Sequence, residues 1–191
     1  MILIISVCSD RFSHSEFVKP IEDILKRANV KFFTKHYTKL DRNELEQAEK
    51  SIICGTALKD FKYLENSDQF DWLKEFRKPI LGICAGMQLL ATVFGSTLVE
   101  SKRIGQYRVK TVRKSELTSR VEFQSYFLNS KAAEVNDAFE VLSQVGSLPC
   151  MIKHKDREHY GCLFHPEVLN QEIIENFAKL QRANQNNRRF S

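Results

Sequence analysis

The sequence predicts one α/β domain over residues 1–191, with a mostly parallel central sheet flanked by helices and an antiparallel, strand-rich second half. Three observations predict it. Between residues 2 and 83, short near-continuous apolar runs alternate with helix-like segments, the pattern of parallel strands buried on both faces. From residue 97 the segments become short, β-branched or aromatic, and broken by turn-like residues, the pattern of an antiparallel meander. The length, 191 residues with only four prolines and seven glycines, suits one sizeable core without a linker.

Ile2 to Val7 is the first buried strand. Phe17, Ile21, Ile24, Leu25 and Ala28 then recur at helical spacing over residues 14–29, with Pro20 marking a start or a bend. Val30 to Tyr37 reads as the second strand, Asp41 as the cap of a short helix through Ala48, and Ser51 to Cys54 as the third strand. Lys59 to Asp71 is irregular, charged and aromatic; a helix around Trp72 to Phe76 follows and Pro79 closes it. Trp72 is expected in the core with Phe70, Leu73 and Phe76. Ile80 to Ile83 is a fourth buried strand running straight into Cys84, and residues 86–94 form a helix closed by Gly95. Strands are expected at 97–100, 107–113, 121–128, 139–145, 150–154 and 160–164. A last amphipathic helix carries Ile173, Ile174, Phe177 and Leu180.

A net charge of +5 and a pI near 8.9 are mild. The basic residues Lys102, Arg103, Arg108, Lys110, Arg113, Lys114, Arg188 and Arg189 read as solvated faces, and nucleic acid is not expected as a partner. The five cysteines, Cys8, Cys54, Cys84, Cys150 and Cys162, form no CxxC pair. That spacing argues against a disulfide framework or a zinc site and for a reducing compartment. Cys8 and Cys54 end apolar runs and read as small core residues. His14 is expected to start a helix, and His36, His154 and His159 to sit at polar strand ends or turns, none at metal-ligand spacing. The first residues lack a basic n-region, and no apolar run approaches the ~20 residues of a membrane helix, so a cytoplasmic protein with no membrane partner is expected.

Two segments carry chemistry. In Leu81-Gly82-Ile83-Cys84-Ala85-Gly86-Met87-Gln88 a buried strand delivers a cysteine into a tight turn and a helix begins at once, the geometry of a nucleophile elbow. The helix N-terminus favours a thiolate, and its free N–H groups can stabilise an oxyanion. In Gly161-Cys162-Leu163-Phe164-His165-Pro166-Glu167 a histidine at a strand end can serve as general base, with a carboxylate two residues on to fix its tautomer.

Together these segments resemble the class I (Triad) glutamine amidotransferase family, whose G-x-C-x-G-x-Q elbow is met at Gly82, Cys84, Gly86 and Gln88 and whose F-H-P-E is met at Phe164, His165, Pro166 and Glu167. The element order agrees over essentially the whole chain. Within the family, the stand-alone length and the order of elements are most similar to the separate amidotransferase subunit of two-subunit GMP synthases. The resemblance implies a flavodoxin-like fold and a glutaminase half-reaction with Cys84 as nucleophile, His165 as proton carrier and Glu167 as its orienter. It further implies oxyanion or substrate roles for Gly55, Ala85 and Gln88, and glutamine as substrate. The partner it implies is a separate ATP-dependent synthetase subunit, and it implies no metal or organic cofactor.

Three segments depart from the family. Its Ser-Gly-Gly-Pro-like loop reads Cys54-Gly55-Thr56-Ala57 here, leaving the oxyanion N–H to Gly55 or Thr56. Its aromatic-x-Ser-His segment reads Tyr126-Phe127-Leu128-Asn129-Ser130, with no histidine. Its acidic Glu-Tyr-Gly-like segment reads Ile104-Gly105-Gln106-Tyr107-Arg108. These changes leave two other readings open: hydrolysis of another γ-glutamyl compound, and a non-catalytic protein that regulates a synthetase.

Overall fold

The computed structural model describes residues 1–181; Arg188 and Arg189 lie outside the described residues. Among the described residues nine strands form one sheet in the order β2-β1-β3-β4-β9-β8-β7-β5-β6. The parallel half consists of β1 (Ile2–Ser6), β2 (Phe32–His36), β3 (Lys50–Ile53), β4 (Ile80–Ile83) and β9 (His159–Cys162). The antiparallel half consists of β5 (Thr97–Thr111), β6 (Glu122–Glu134), β7 (Phe139–Val145) and β8 (Leu148–His154). Leu3, Ile4, Ile5, Ile52, Ile53, Leu81 and Ile83 are fully buried, which explains why these strands read as unbroken apolar runs. Each such side chain contributes roughly 1.5–3 kcal/mol on leaving water.

The helical segments sharpen the expected ones. The 14–29 segment is two helices, α1 (Arg11–Phe17) and α2 (Lys19–Arg27), broken at Val18 with Pro20 in the first turn of α2. Asp10 caps α1 by accepting from the N–H groups of Phe12 and Ser13, so His14 lies inside this helix and not at its start. Asp41 caps α3 (Arg42–Gln47), with Glu44 completing a capping box. The irregular 59–71 stretch contains α4 (Lys62–Glu65) and a 3-10 helix over Ser67–Lys74, which takes the place of the expected helix at 72–76. Phe70 and Leu73 are buried there and Trp72 packs edge-on against Phe76. Then come α5 (Ala85–Val93), ended by Gly95 at φ +89°, α6 (Pro166–Leu169) and α7 (Gln171–Lys179). Among the described residues no helix is long and apolar enough to cross a membrane.

The two strands expected at 97–100 and 107–113 are one. β5 runs continuously against β6 and absorbs the irregularity as a register shift between Glu100 and Arg103. Lys102, Arg108 and Lys110 are exposed along it.

His159 corrects its expected polar setting. It is fully buried near Phe94 and His154, with the backbone of Phe76 and Lys78 beside the ring. Burial, reinforced by Arg157 and His154, pushes its pKa down to about 3. A folded pKa below the unfolded value of about 6.5 gives stability that is present above that value and lost as pH falls toward 3. Thermal unfolding between pH 6.5 and 3 is therefore expected to show a destabilisation of up to roughly 1.4 kcal/mol per pH unit that His159→Phe removes.

Candidate active site

The carboxyl ends of the five parallel strands, β1, β2, β3, β4 and β9, lie at one edge of the sheet, where open parallel sheets bind ligands. Cys84 follows β4, Gly55 lies just past β3, and His165 lies three residues past β9. β4 and β9 are paired neighbours, Ile83 opposite Cys162, and the Cys84 N–H donates to the Cys162 carbonyl at 2.7 Å. The His165 N–H donates to the Tyr126 carbonyl of β6 at 2.8 Å, so the antiparallel half of the sheet fixes the histidine backbone.

Cys84 sits at φ +48°, ψ −98°, a conformation costly for a residue with a Cβ and typical of functional turns. The first helical bond of α5 runs from the Gln88 N–H to the Cys84 carbonyl at 3.0 Å. The amides of Ala85, Gly86 and Met87 therefore precede the helix ladder and lie at its positive end, beside the sulfur.

Three glycines let α5 lie this close to the sheet. A Cβ on Gly82 would come within 2.5 Å of the Gly86 backbone, one on Gly86 within 2.3 Å of the Ile53 carbonyl oxygen, and one on Gly161 within 2.8 Å of Met87 Cγ. The G-x-C-x-G spacing is thus a packing requirement of the elbow as well as a turn signal.

His165 is buried, its ring 5.5 Å from that of Phe17. Its Nδ1 pairs with Glu167 Oε1 at 2.7 Å. That leaves the buried Nε2 as the nitrogen able to exchange a proton with Cys84, whose side chain reaches the ring. Burial pushes the imidazole pKa down, and the Glu167 carboxylate and Cys84 together outweigh it, holding His165 well above the usual histidine range. Gly55 brings the pieces together: a Cβ there would meet His165 Cε1 at 2.7 Å and Cys84 Cβ at 3.5 Å. Glu167→Gln is expected to lower the His165 pKa, read by NMR titration of the ring, and to cut turnover by roughly 10²–10⁴-fold.

Gln88 has both ends of its amide engaged, Oε1 by the Tyr63 hydroxyl and Nε2 by the Lys131 carbonyl at 3.0 Å. It lines a small cavity at Cys84 together with Ala85, Thr56, Asp60, Asn129 and Ser130. Asn129 donates through Nδ2 to the carbonyls of Ser101 (2.6 Å) and Lys131 (3.2 Å), which fixes its rotamer and leaves buried Oδ1 without a partner among the described residues. Tyr63 and Asp60 come from the stretch that reads only as irregular. Neither belongs to a motif, and their place at the site follows from the path of the loop after β3. Larger clefts lie elsewhere, about 580 Å³ beside Trp72 and about 640 Å³ beside His36, and none of the three residues Cys84, His165 and Glu167 lines them.

The family model for class-I glutamine amidotransferases matches residues 13–180. The chain belongs to the class I glutamine amidotransferase family. The chain is 34% identical over 151 residues to the glutamine-hydrolysing GMP synthase of Ehrlichia chaffeensis, covering 72% of this chain and 28% of that protein. It is 34% identical over 154 residues to a subunit of the glutamine-hydrolysing GMP synthase of Methanocaldococcus jannaschii, covering 75% of this chain and 80% of that protein. The fold is shared with a solved Thermoplasma acidophilum structure described as a candidate GMP synthase subunit, with a TM-score of 0.80, 22% identity, and coverage of 93% of this chain and 92% of that one. The matched segment thus spans about a quarter of the first of these relatives and most of the other two.

Proposed function

We propose that this amidotransferase is a glutaminase that supplies ammonia to a separate ATP-dependent synthetase subunit, with GMP synthesis as the best-supported destination. The observation that carries the reading is the convergence of three groups: a cysteine at positive φ on an elbow, a histidine that its side chain reaches, and a carboxylate on that histidine's Nδ1. The likeness to a GMP synthase subunit of similar length supports the partner. The buried free thiols support a reducing, cytoplasmic setting.

In the reaction His165 Nε2 carries the proton of the Cys84 thiol, and the sulfur so released attacks the side-chain amide carbon of glutamine. The carbonyl electron pair moves onto oxygen, where the Ala85 amide and an amide of the loop beginning at Gly55 receive it. Collapse returns the pair, breaks the C–N bond, and His165 gives its proton to the departing nitrogen, releasing ammonia and leaving a glutamyl thioester. Water, deprotonated by His165, then releases glutamate and restores the thiol. Glu167 holds the imidazole in the tautomer that exposes Nε2. Gln88 shapes the substrate side of the site.

The cavity at Cys84 holds about 10 Å³, room for a single water. Glutamine therefore enters with a displacement of residues 57–61 or of β6. Among the described residues the Ser130 hydroxyl on the Leu58 carbonyl at 3.4 Å and Lys131 over the Phe61 ring at 5.4 Å join the two segments.

The test is labelling with a diazo-ketone analogue of glutamine, followed by peptide mapping. Labelling at Cys84 that excess glutamine suppresses is the expected result. A thiol open to small alkylators but not to the analogue would sink the glutamine reading and favour another γ-glutamyl compound, consistent with asparagine at position 129.

A further inference from the structure

The peptide that follows Gly55 is held from two sides. On the first, the Cys8 thiol donates to the Gly55 carbonyl at 3.6 Å. β3 lies between β1 and β4 in the sheet, with Cys8 just past the end of β1 and Cys84 just past the end of β4. In a trans peptide the C=O and the following N–H point opposite ways, and among the described residues no peptide bond is cis. A Gly55 carbonyl turned toward Cys8 therefore turns the Thr56 N–H toward the Cys84 side, where Thr56 lines the cavity.

On the second side stands Asp60. Its carboxylate accepts from the Thr56 hydroxyl at 2.7 Å, from the Ser9 N–H at 2.8 Å, from the Ser9 hydroxyl, and from the Lys62 N–H at 3.4 Å. One side chain thus ties the loop after β1 to the loop after β3, with Thr56 as the tie point. Burial pushes the Asp60 carboxyl up, and the donors of Ser9, Thr56 and Lys62 outweigh it and hold it below its ordinary value, so the acceptor stays charged at neutral pH. The second glycine and the proline that would stiffen this turn locally are absent, since the chain reads Gly55-Thr56-Ala57.

We propose that Asp60 is a positioning residue that, with Cys8, clamps the Gly55–Thr56 peptide so that the Thr56 N–H stands with that of Ala85 as the second oxyanion donor. The clamp supplies by tertiary contacts the rigidity that a glycine–proline turn would supply locally. It rests on the glutaminase reading for its consequence, but its hydrogen bonds can be measured apart from activity.

The experiment compares the full-length chain with its Asp60→Asn, Thr56→Val and Thr56→Ser variants. Ammonia release from glutamine gives kcat and KM. Alkylation of Cys84 by iodoacetamide reports the nucleophile without an oxyanion. Amide hydrogen exchange reports the two loops. Asp60→Asn is expected to lower kcat about 10–100-fold, short of deleting a donor outright, with KM within about threefold and the alkylation rate unchanged. Thr56→Val is expected to cost about 3–10-fold in kcat, and Thr56→Ser, which keeps the hydroxyl, to restore it. The Ser9 amide is expected to be protected in the wild type and to exchange at least ~10-fold faster in Asp60→Asn. A kcat within about twofold of wild type in both Asp60→Asn and Thr56→Val overturns the clamp. So does a parallel loss of kcat and alkylation, the mark of general loosening. A wild-type chain that neither releases ammonia nor takes the diazo-ketone at Cys84 fails the glutaminase reading instead. The Ser9 amide then decides the clamp alone, and rapid exchange there in the wild type overturns it.

Discussion

Cys84→Ala is expected to lower ammonia release from glutamine by at least ~10⁴-fold, with no glutamyl thioester detectable by intact-mass spectrometry after rapid quenching. The size follows from the arrangement. His165, Glu167 and the amides at the start of α5 remain in place without the sulfur, and such a remnant can orient a water but cannot form the covalent intermediate. The same position separates chemistry from stability. Residue 84 sits at φ +48°, which costs any residue with a Cβ, so alanine is expected to leave the unfolding midpoint nearly unchanged. Cys84→Gly, equally inactive, is expected to gain about 1 kcal/mol, the relieved strain less the extra freedom of an unfolded glycine. Thioester formation and turnover that persist in Cys84→Ala would rule out the nucleophile assignment.

Gly86→Ala is expected to destabilise the protein by about 3 kcal/mol or more, read from the urea midpoint, and to abolish turnover in whatever fraction folds. Its Cβ would stand 2.3 Å from the Ile53 carbonyl oxygen and 2.9 Å from Ile53 Cβ. β3 cannot retreat, because it is hydrogen-bonded to β1 on one side and β4 on the other. α5 must tilt away instead, carrying with it the amides that face Cys84. Gly146→Ala is the control: nothing lies within 4 Å of a Cβ there, and only its φ of +60° resists the change, so a loss of about 1 kcal/mol is expected. Equal losses at the two positions would show that close approach of α5 to the sheet is not what Gly86 provides.

The legible parts of this protein are those whose causes are local. Three buried strands, β1, β3 and β4, announce themselves because both faces are covered, leaving no polar alternation in Leu3 to Ile5 or Leu81 to Ile83. Asp41 and Glu44 announce a capping box, and the elbow announces itself because a strand, a strained cysteine and a helix must follow one another within a few residues. The pairing of His165 with Glu167 was legible for the same reason, two residues apart across a stiff proline.

What depended on distant partners was not legible. The 97–113 segment looks like two strands and is one, because β6 pairs along its length and tolerates the irregularity at Glu100. His159 looks like a turn residue and is wholly buried, since β9 is covered by elements far away in sequence. Asp60 and Tyr63 sit in a stretch without periodicity, and their engagement with Ser9, Thr56 and Gln88 required β1, β3 and α5 to be assembled first. The order of elements and the chemical identity of the groups gathered at the elbow are encoded locally, by short-range sterics and hydrogen bonding. Only the tertiary structure decided which loops brace the site and how little room stands beside the sulfur, because both are set by contacts between segments that the chain brings together only on folding.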